Sequence, residues 1–87
     1  MKSIEQQKMY LHIAKAYVGY EVTQTIRKSN ASQADKELMI CMINATYTSD
    51  SWDMFCKTDT TLQVLLLDII EETYYGGITE NEEPKVQ

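Results

Sequence analysis

The sequence predicts an all-α fold, a small bundle of three main helices and a short fourth. Apolar residues recur at spacings of three and four, which is the period of an amphipathic helix. No stretch shows the sustained alternation with period two that is typical of a half-buried strand. One proline and three glycines also leave few residues for the tight turns of a sheet. We therefore expect helices joined by short polar breaks.

The first helix is predicted to run from Ser3 to Lys28. Ser3 is a suitable N-cap, and Arg27 lies with Lys28 in the last turn, where basic side chains interact favourably with the helix dipole. Gly19 interrupts this stretch and lowers its helix propensity by about 1 kcal/mol relative to alanine. We therefore expect a close backbone approach or a slight bend at that position.

The second helix is predicted to begin after Ser32, which forms a weak capping box with Asp35, and to end near Tyr47. It is apolar almost all round over residues 38–43, the run LMICMI, which is typical of a helix in the middle of an assembly. Cys41 lies in this run, so we interpret it as a buried free thiol.

A polar break and a short helical turn at residues 52–55 precede the last helix. This helix begins at the cap candidates Thr58–Asp59 and is predicted to stop at the pair Gly76–Gly77. Its apolar side chains cover roughly 200° of the helical wheel, about twice the stripe that one helix of a small monomer usually buries. The sequence therefore predicts that homo-oligomerisation completes the core. The residues assigned to this oligomer interface are Leu62, Leu65, Leu66, Ile69 and Ile70.

The length of 87 residues is sufficient for one domain, which we assign to residues 1–77. Residues 78–87 are polar and acidic, and they are predicted to form a flexible tail because they cannot bury enough apolar surface to offset the entropy of ordering. The N-terminus lacks the apolar core of a secretory signal, and the longest apolar run is far shorter than the roughly 18 residues of a membrane span. We expect a cytoplasmic protein that does not associate with membranes.

Residue types that form metal sites and catalytic centres are sparse. His12 is the only histidine, no carboxylate lies three or four residues from it, and the aspartates match no calcium-binding loop. Cys41 and Cys56 are the only thiols that His12 could activate, which is a thin basis for nucleophilic catalysis. The paired glycines end a helix, whereas a phosphate-binding loop would begin one. We therefore expect no enzyme activity, no metal and no cofactor.

Charge is divided unevenly along the chain. Residues 1–31 carry five basic and two acidic side chains, a net charge of +3, whereas residues 32–87 carry three basic and eleven acidic ones, a net charge of −8. A net negative chain whose bases are concentrated in one helix is poorly suited to bind nucleic acid directly. The acidic half can instead form a docking face for a basic surface of another protein, and the simpler interpretation is a solubilising face around an apolar assembly. The residues assigned to this face are Asp50, Asp53, Asp68, Glu71 and Glu72.

The first helix offers an alternative surface. Lys8, His12 and Lys15 are spaced by four and three residues, and a row of tyrosines lies on the same helix. Aromatic rings beside lysines can stack on bases and hold phosphates. The simpler interpretation is that the tyrosines pack in the core with their hydroxyls at its rim. The residues assigned to this anionic-ligand patch are Lys8, Tyr10, His12, Lys15 and Tyr17.

These observations favour a protein that acts by binding. Small, acidic, all-helical chains without motifs resemble, in overall profile, the accessory proteins of phages and mobile elements that dock on and block a host protein. This resemblance carries over no individual residues. We therefore expect a non-enzymatic inhibitor or adaptor whose partner is a host protein. The alternative is a helical homo-oligomer that sequesters a small anionic ligand, such as a nucleotide or cyclic nucleotide, between its subunits.

Overall fold

The computed structural model describes residues 2–86 of the chain, with the side chains of residues 2–76. Five helices follow one another, and residues 2–86 contain no strand, so the predicted all-α class is confirmed. The predicted count of three main helices and a short fourth is wrong, because the first predicted helix is divided into two. The helices are α1 (Ile4–Ala16), α2 (Gly19–Lys28), α3 (Gln33–Asn44), α4 (Thr48–Cys56) and α5 (Thr60–Val86).

The break between α1 and α2 lies at Tyr17 and Val18. Both residues donate their backbone N–H groups to the carbonyl oxygen of Ile13, over 2.9 and 3.4 Å, which widens the last turn of α1 and ends it. A Cβ atom on Gly19 would lie only 3.2 Å from the carbonyl oxygen of Ala14. The close backbone approach expected at this glycine is therefore present, but the helix breaks there instead of bending slightly.

Three of the helices begin at polar N-cap residues, as the sequence predicts. Ser3 forms a capping box with Gln6, since each side chain accepts the backbone N–H of the other residue. The Oγ of Ser32 accepts the backbone N–H three residues further on. Asp59 accepts the backbone N–H of Thr61 over 3.0 Å at the start of α5. Local hydrogen-bonding chemistry thus fixes these helix starts.

The hydrophobic core is closed within one chain. α1 packs against all four other helices, α2 packs against α3 and α5, and α3 packs against α4. The apolar side chains buried between them are Tyr10, Leu11, Ile13, Ala14, Val22, Ile26, Met39, Met42, Ile43, Phe55, Leu62, Leu66, Leu67, Ile69 and Ile70.

The predicted oligomer interface lies in this core. Leu66 and Ile70 are fully buried, Leu62 and Ile69 are almost so, and Leu65 is half-buried. The apolar surface of α5 is broad because the helix packs against both α1 and α2. The inference that these five residues need a second subunit to cover them is therefore wrong. Whether the chain assembles into an oligomer stays a prediction.

α3 buries one side only. Met39, Met42 and Ile43 face the core at spacings of three and one, whereas Leu38 and Cys41 are exposed. A run that is continuous in sequence points in all directions on a helix, so part of it turns to solvent when only one side is packed. The interpretation of Cys41 as a buried thiol is therefore wrong.

α4 is longer than the short turn predicted, at nine residues, and a buried hydrogen bond ties it to α3. The Oγ of Ser51, which is fully buried, donates to the carbonyl oxygen of Met42 over 2.7 Å. That carbonyl belongs to the last turn of α3, where the helix supplies no backbone donor of its own. Ser51 thus satisfies a helix end and fixes the angle at which α4 leaves it.

α5 does not stop at Gly76–Gly77 but is assigned through to Val86. Glycine permits the left-handed conformation that ends many helices but does not impose it, and no glycine with a positive φ occurs among the residues described. The predicted flexible tail, residues 78–87, lies outside the described side chains, and its flexibility stays a prediction.

Candidate protein-docking surface

The five residues of the predicted acidic docking face lie on two helices. Asp50 and Asp53 are exposed on α4, while Asp68, Glu71 and Glu72 lie on α5. α4 packs against α1 and α3, whereas α5 packs against α1 and α2. The acidic residues on α5 line a groove together, without the two on α4. The structure thus brings three of the five predicted residues into one site.

This groove, the acidic groove, has a volume of about 480 Å³. Spacings of three and four along α5 place its lining residues on one helix face, so their side chains lie one above the other. Three carboxylates and one aromatic ring in such an arrangement favour a cationic side chain, which can pair with the carboxylates and stack on the ring. The lining residues are Asp68, Glu71, Glu72, Tyr75 and Gly76.

A second groove of about 340 Å³, the Val64 groove, continues the same face of α5 toward the N-terminal end of the helix. Lys2, Val64 and Leu67 line it, and Asp68 lines both grooves. Val64 is 41% exposed there, which makes it an apolar side chain open to solvent beside a carboxylate. The outer face of α5 therefore combines an apolar part with an acidic part.

Lys2 lies across this face and pairs with it. Its Nζ donates to Glu71 Oε1 over 3.1 Å and lies 5.1 Å from the centre of the Tyr10 ring. The Lys2 carbonyl oxygen accepts from Gln7 Nε2 over 2.7 Å, which anchors the backbone of the segment to α1. The hydrogen bond to Glu71 raises the pKa of Lys2 above its ordinary value, against the opposing effect of desolvation.

Four tyrosines, the tyrosine cluster, form a chain of ring contacts beside the acidic groove. Tyr10 contacts Tyr75 at 5.8 Å between ring centres, and Tyr75 contacts Tyr74 at 4.9 Å. Tyr74 in turn contacts Tyr17 at 6.3 Å, and the His12 ring lies edge-on to Tyr17 at 6.4 Å. The cluster runs from the buried Tyr10 to Tyr17, which is 67% exposed. Aromatic surface therefore extends from the core to solvent next to the carboxylates.

Burial raises the pKa of Tyr10 above its ordinary value of 10.0, and the negative charge of Glu71 adds to the effect. A folded-state pKa above the unfolded one gives stability that is present below pH 10.0 and is lost as the pH rises through the raised pKa. We expect the melting temperature, measured by circular dichroism between pH 8 and 11, to fall more steeply in the wild type than in Tyr10→Phe. Parallel curves for the two proteins would contradict this assignment.

The structure does not place the five residues of the predicted anionic-ligand patch on one surface. The ammonium group of Lys8 lies 5.1 Å from the centre of the Trp52 ring on α4, whereas Tyr10 faces α5. Residues two apart on a helix point in nearly opposite directions, so these two side chains cannot hold one ligand. Lys15 is half-buried and His12 is exposed. The five residues, Tyr17 included, thus do not share one surface, and binding of an anionic ligand by them stays a prediction.

The simpler interpretation of the tyrosines also holds for only one part of the row. Tyr10 is buried in the core, but Tyr17 and Tyr20 are exposed. Tyr17 lies in the break between α1 and α2 and Tyr20 lies just after it, so the helical spacing that predicted their burial no longer applies. The break thus turns two core candidates into surface residues.

Sequence patterns did not reveal the rest of the surface. The contact between Lys2 and Glu71 joins residues 69 positions apart, and no spacing rule relates them. Tyr75 could have been found, because it follows Glu71 by four residues and Glu72 by three, on the same helix face.

A further groove, of about 600 Å³, lies between α2 and α3, and its lining side chains differ in charge and polarity. Lys36 donates from Nζ to the carbonyl oxygen of Arg27 over 2.9 Å, so this ammonium group joins the two helices. Side chains of both charges and no aromatic ring line the groove, which indicates no single class of ligand. Its lining residues are Arg27, Gln33, Lys36, Glu37, Ile40 and Cys41.

Among the residues whose side chains are described, 2–76, no three His, Cys, Asp or Glu side chains are grouped so that they could hold a metal ion. None of the helices, within the residues described, has the length and apolar content needed to cross a bilayer.

Comparison of the chain with protein-family models, with curated proteins and with solved structures gave no match.

Proposed function

We propose that the protein is a non-enzymatic protein-binding module, an inhibitor or adaptor of the phage and mobile-element type, which docks on a host protein through the outer face of α5. The observation that carries this proposal is the tyrosine cluster beside the acidic groove. Its outermost ring, Tyr17, is 67% exposed and packs on Tyr74. Tyrosine is enriched in protein interfaces and in the few residues that supply most of their binding energy.

The position of this surface on the fold supports the same proposal. The inner side of α5 is fixed by the core, with Leu66 and Ile70 fully buried. A side chain that is held on a packed helix loses little conformational entropy when it binds. The net charge of −5 would in addition speed the approach of a basic partner.

The alternative function, sequestration of a small anionic ligand, has less support. Two lysines of α1 and its N-terminal flank already interact with other groups, since Lys2 pairs with Glu71 and Lys8 lies over Trp52. Three carboxylates in the acidic groove would repel an anion. They would also oppose a symmetric dimer through this face, because a two-fold interface brings the same carboxylates of both copies together.

Substitution of Tyr17 tests the proposal, and Tyr47 provides a matched control because it has the same exposed fraction, 67%. Tyr47 precedes α4 and lies outside the tyrosine cluster. We expect Tyr17→Ala to weaken capture of the partner by about 30-fold, the effect of an interface residue worth roughly 2 kcal/mol. Tyr47→Ala should capture it as the wild type does.

The measurement is quantitative affinity enrichment from cell extract with isotope-labelled wild type and variants in one experiment. A protein that is retained by the wild type and by Tyr47→Ala, but lost with Tyr17→Ala, is the expected result. Identical captured proteins for all three baits would contradict docking through the tyrosine cluster. Thermal unfolding checks that both variants are folded.

A further inference from the structure

The outer face of α5 already holds one cationic side chain. The ammonium group of Lys2 pairs with Glu71 over 3.1 Å while lying 5.1 Å from the centre of the Tyr10 ring. A carboxylate and an aromatic face on the same cation are the two contacts by which proteins recognise lysine and arginine side chains. The chain's own residue thus shows which chemistry this face accepts.

Lys2 lies where the two grooves of α5 meet. It lines the Val64 groove, and its partner Glu71 lines the acidic groove, while Asp68 lines both. Because Asp68 lines both grooves, they follow one another along α5, and we refer to the two together as the channel. The channel has Val64 at its apolar end and Tyr75 at its aromatic end.

We propose that this channel takes a basic segment of the partner protein, whose lysine or arginine replaces Lys2 beside Glu71 while a neighbouring apolar residue contacts Val64. This inference rests on the proposed function and names the chemistry of the partner. Lys2 then acts as an internal competitor: it occupies the site in the free protein and is displaced when the partner binds.

Displacement of Lys2 requires little free energy. The Lys2 side chain is 26% exposed and that of Glu71 is 44% exposed, so solvent reaches both partners of the pair. Ion pairs of this kind contribute little to stability. Gln7 holds the backbone of the segment through the Lys2 carbonyl oxygen, so the side chain can leave without unfolding α1.

Charge complementarity selects a basic protein segment over other occupants. Asp68, Glu71 and Glu72 carry three negative charges against the single positive charge of Lys2. Nucleic acids and anionic membrane surfaces would be repelled by the remaining negative charge, and so would the same face of a second copy. A segment with two or three basic residues would neutralise it.

The test uses a fluorescein-labelled probe peptide, Gly-Ser-Leu-Arg-Lys-Leu-Arg-Ser-Gly, and fluorescence anisotropy with the full chain. A control peptide has glutamate at the three basic positions. We expect the basic peptide to bind and the acidic one not to. Glu71→Gln and Asp68→Asn should each weaken binding by about fivefold or more, whereas Asp50→Asn, on α4, should leave it unchanged.

Lys2 provides the decisive variant. We expect Lys2→Ala to bind the basic peptide about three- to fivefold more tightly, because no internal competitor must leave. Lys57→Ala removes the same charge from an exposed position beside α4 and controls for the change in net charge. Equal gains for both lysine variants, or weaker binding with Lys2→Ala, would overturn the displacement of Lys2.

The outcomes separate this inference from the proposed function. If Tyr17→Ala loses capture of the partner while Glu71→Gln and Asp68→Asn bind the basic peptide as the wild type does, the basic-segment inference is overturned. The same result would support protein binding through the tyrosines. A peptide series that behaves as expected supports the channel, even where Tyr17→Ala captures the same proteins as the wild type and contradicts docking through the cluster.

Discussion

Replacement of Phe55 by alanine is expected to lower the free energy of unfolding by about 3–5 kcal/mol. Phe55 is 1% exposed and is among the largest fully buried side chains of the core. Its ring stacks on Trp52 with 5.6 Å between ring centres, so the substitution leaves a cavity beside the indole. Small domains have a total stability of about 5–15 kcal/mol, of which this loss is a large part.

Urea denaturation followed by tryptophan fluorescence measures the effect, because Trp52 is the only tryptophan in the chain. Phe55→Leu is the matched control, since it keeps most of the buried volume and should cost less than about 1.5 kcal/mol. Similar midpoints for Phe55→Ala and the wild type would show that α4 does not depend on this core contact.

Leu66→Ala is expected to cost about 2–5 kcal/mol in the free energy of unfolding. Leu66 is fully buried where α5 packs within the chain, so its removal leaves a cavity inside a single subunit. Val64, on the same helix, is 41% exposed, and Val64→Ala should change stability by only about 0.5 kcal/mol. Denaturation by urea, monitored by circular dichroism, compares the two variants.

The Leu66 variant also separates the two roles that its apolar side chain could have. If Leu66 is a core residue, Leu66→Ala should have a lower unfolding midpoint than the wild type, and this midpoint should be independent of protein concentration. An oligomer-interface residue predicts instead a folded variant of smaller assembly size, with a midpoint in the wild type that rises with concentration. The second result would contradict the placement of Leu66 in the core of one chain.

Helix starts were predictable because they depend on neighbouring residues. Ser3, Ser32 and Asp59 each accept a backbone N–H two or three residues further on, and the sequence contains everything needed for this contact. The division of the first helix was not predictable to the same degree. Gly19 indicated a close approach, but the break also depends on tertiary packing, including Ile43, whose Cγ2 lies 3.8 Å from a Cβ built on the glycine.

The sequence indicated how much apolar surface would be buried, but it did not show which helices would bury it. The spacing of residues 62–70 correctly indicated a broad apolar surface, yet it could not show that α1 and α2 cover this surface from two sides. Cys41 shows the opposite error, since an apolar run in sequence did not imply burial all round the helix. Periodicity identifies the apolar side chains that burial would stabilise, whereas the arrangement of the helices decides which of them are buried.

The candidate site was predictable where it lies on one helix. Asp68, Glu71 and Glu72 share a face by spacing alone, and the groove contains all three. The contacts of Lys2 with Glu71 and Tyr10 depend on the fold, which brings the N-terminal segment to α5. Asp50 and Asp53 do not line this groove for a related reason, since their helix, α4, packs against α1 and α3.

Site-specific photocrosslinking tests most directly whether the outer face of α5 is where another protein docks. A photoreactive phenylalanine is introduced at Glu72 in one variant and at Asp53 on α4 in the other, both exposed positions. We predict that illumination in cells yields a covalent adduct with a second, basic protein from position 72 and none from position 53. Adducts from position 53 alone, or an adduct from position 72 with the mass of two copies of this chain, would contradict the proposed docking surface.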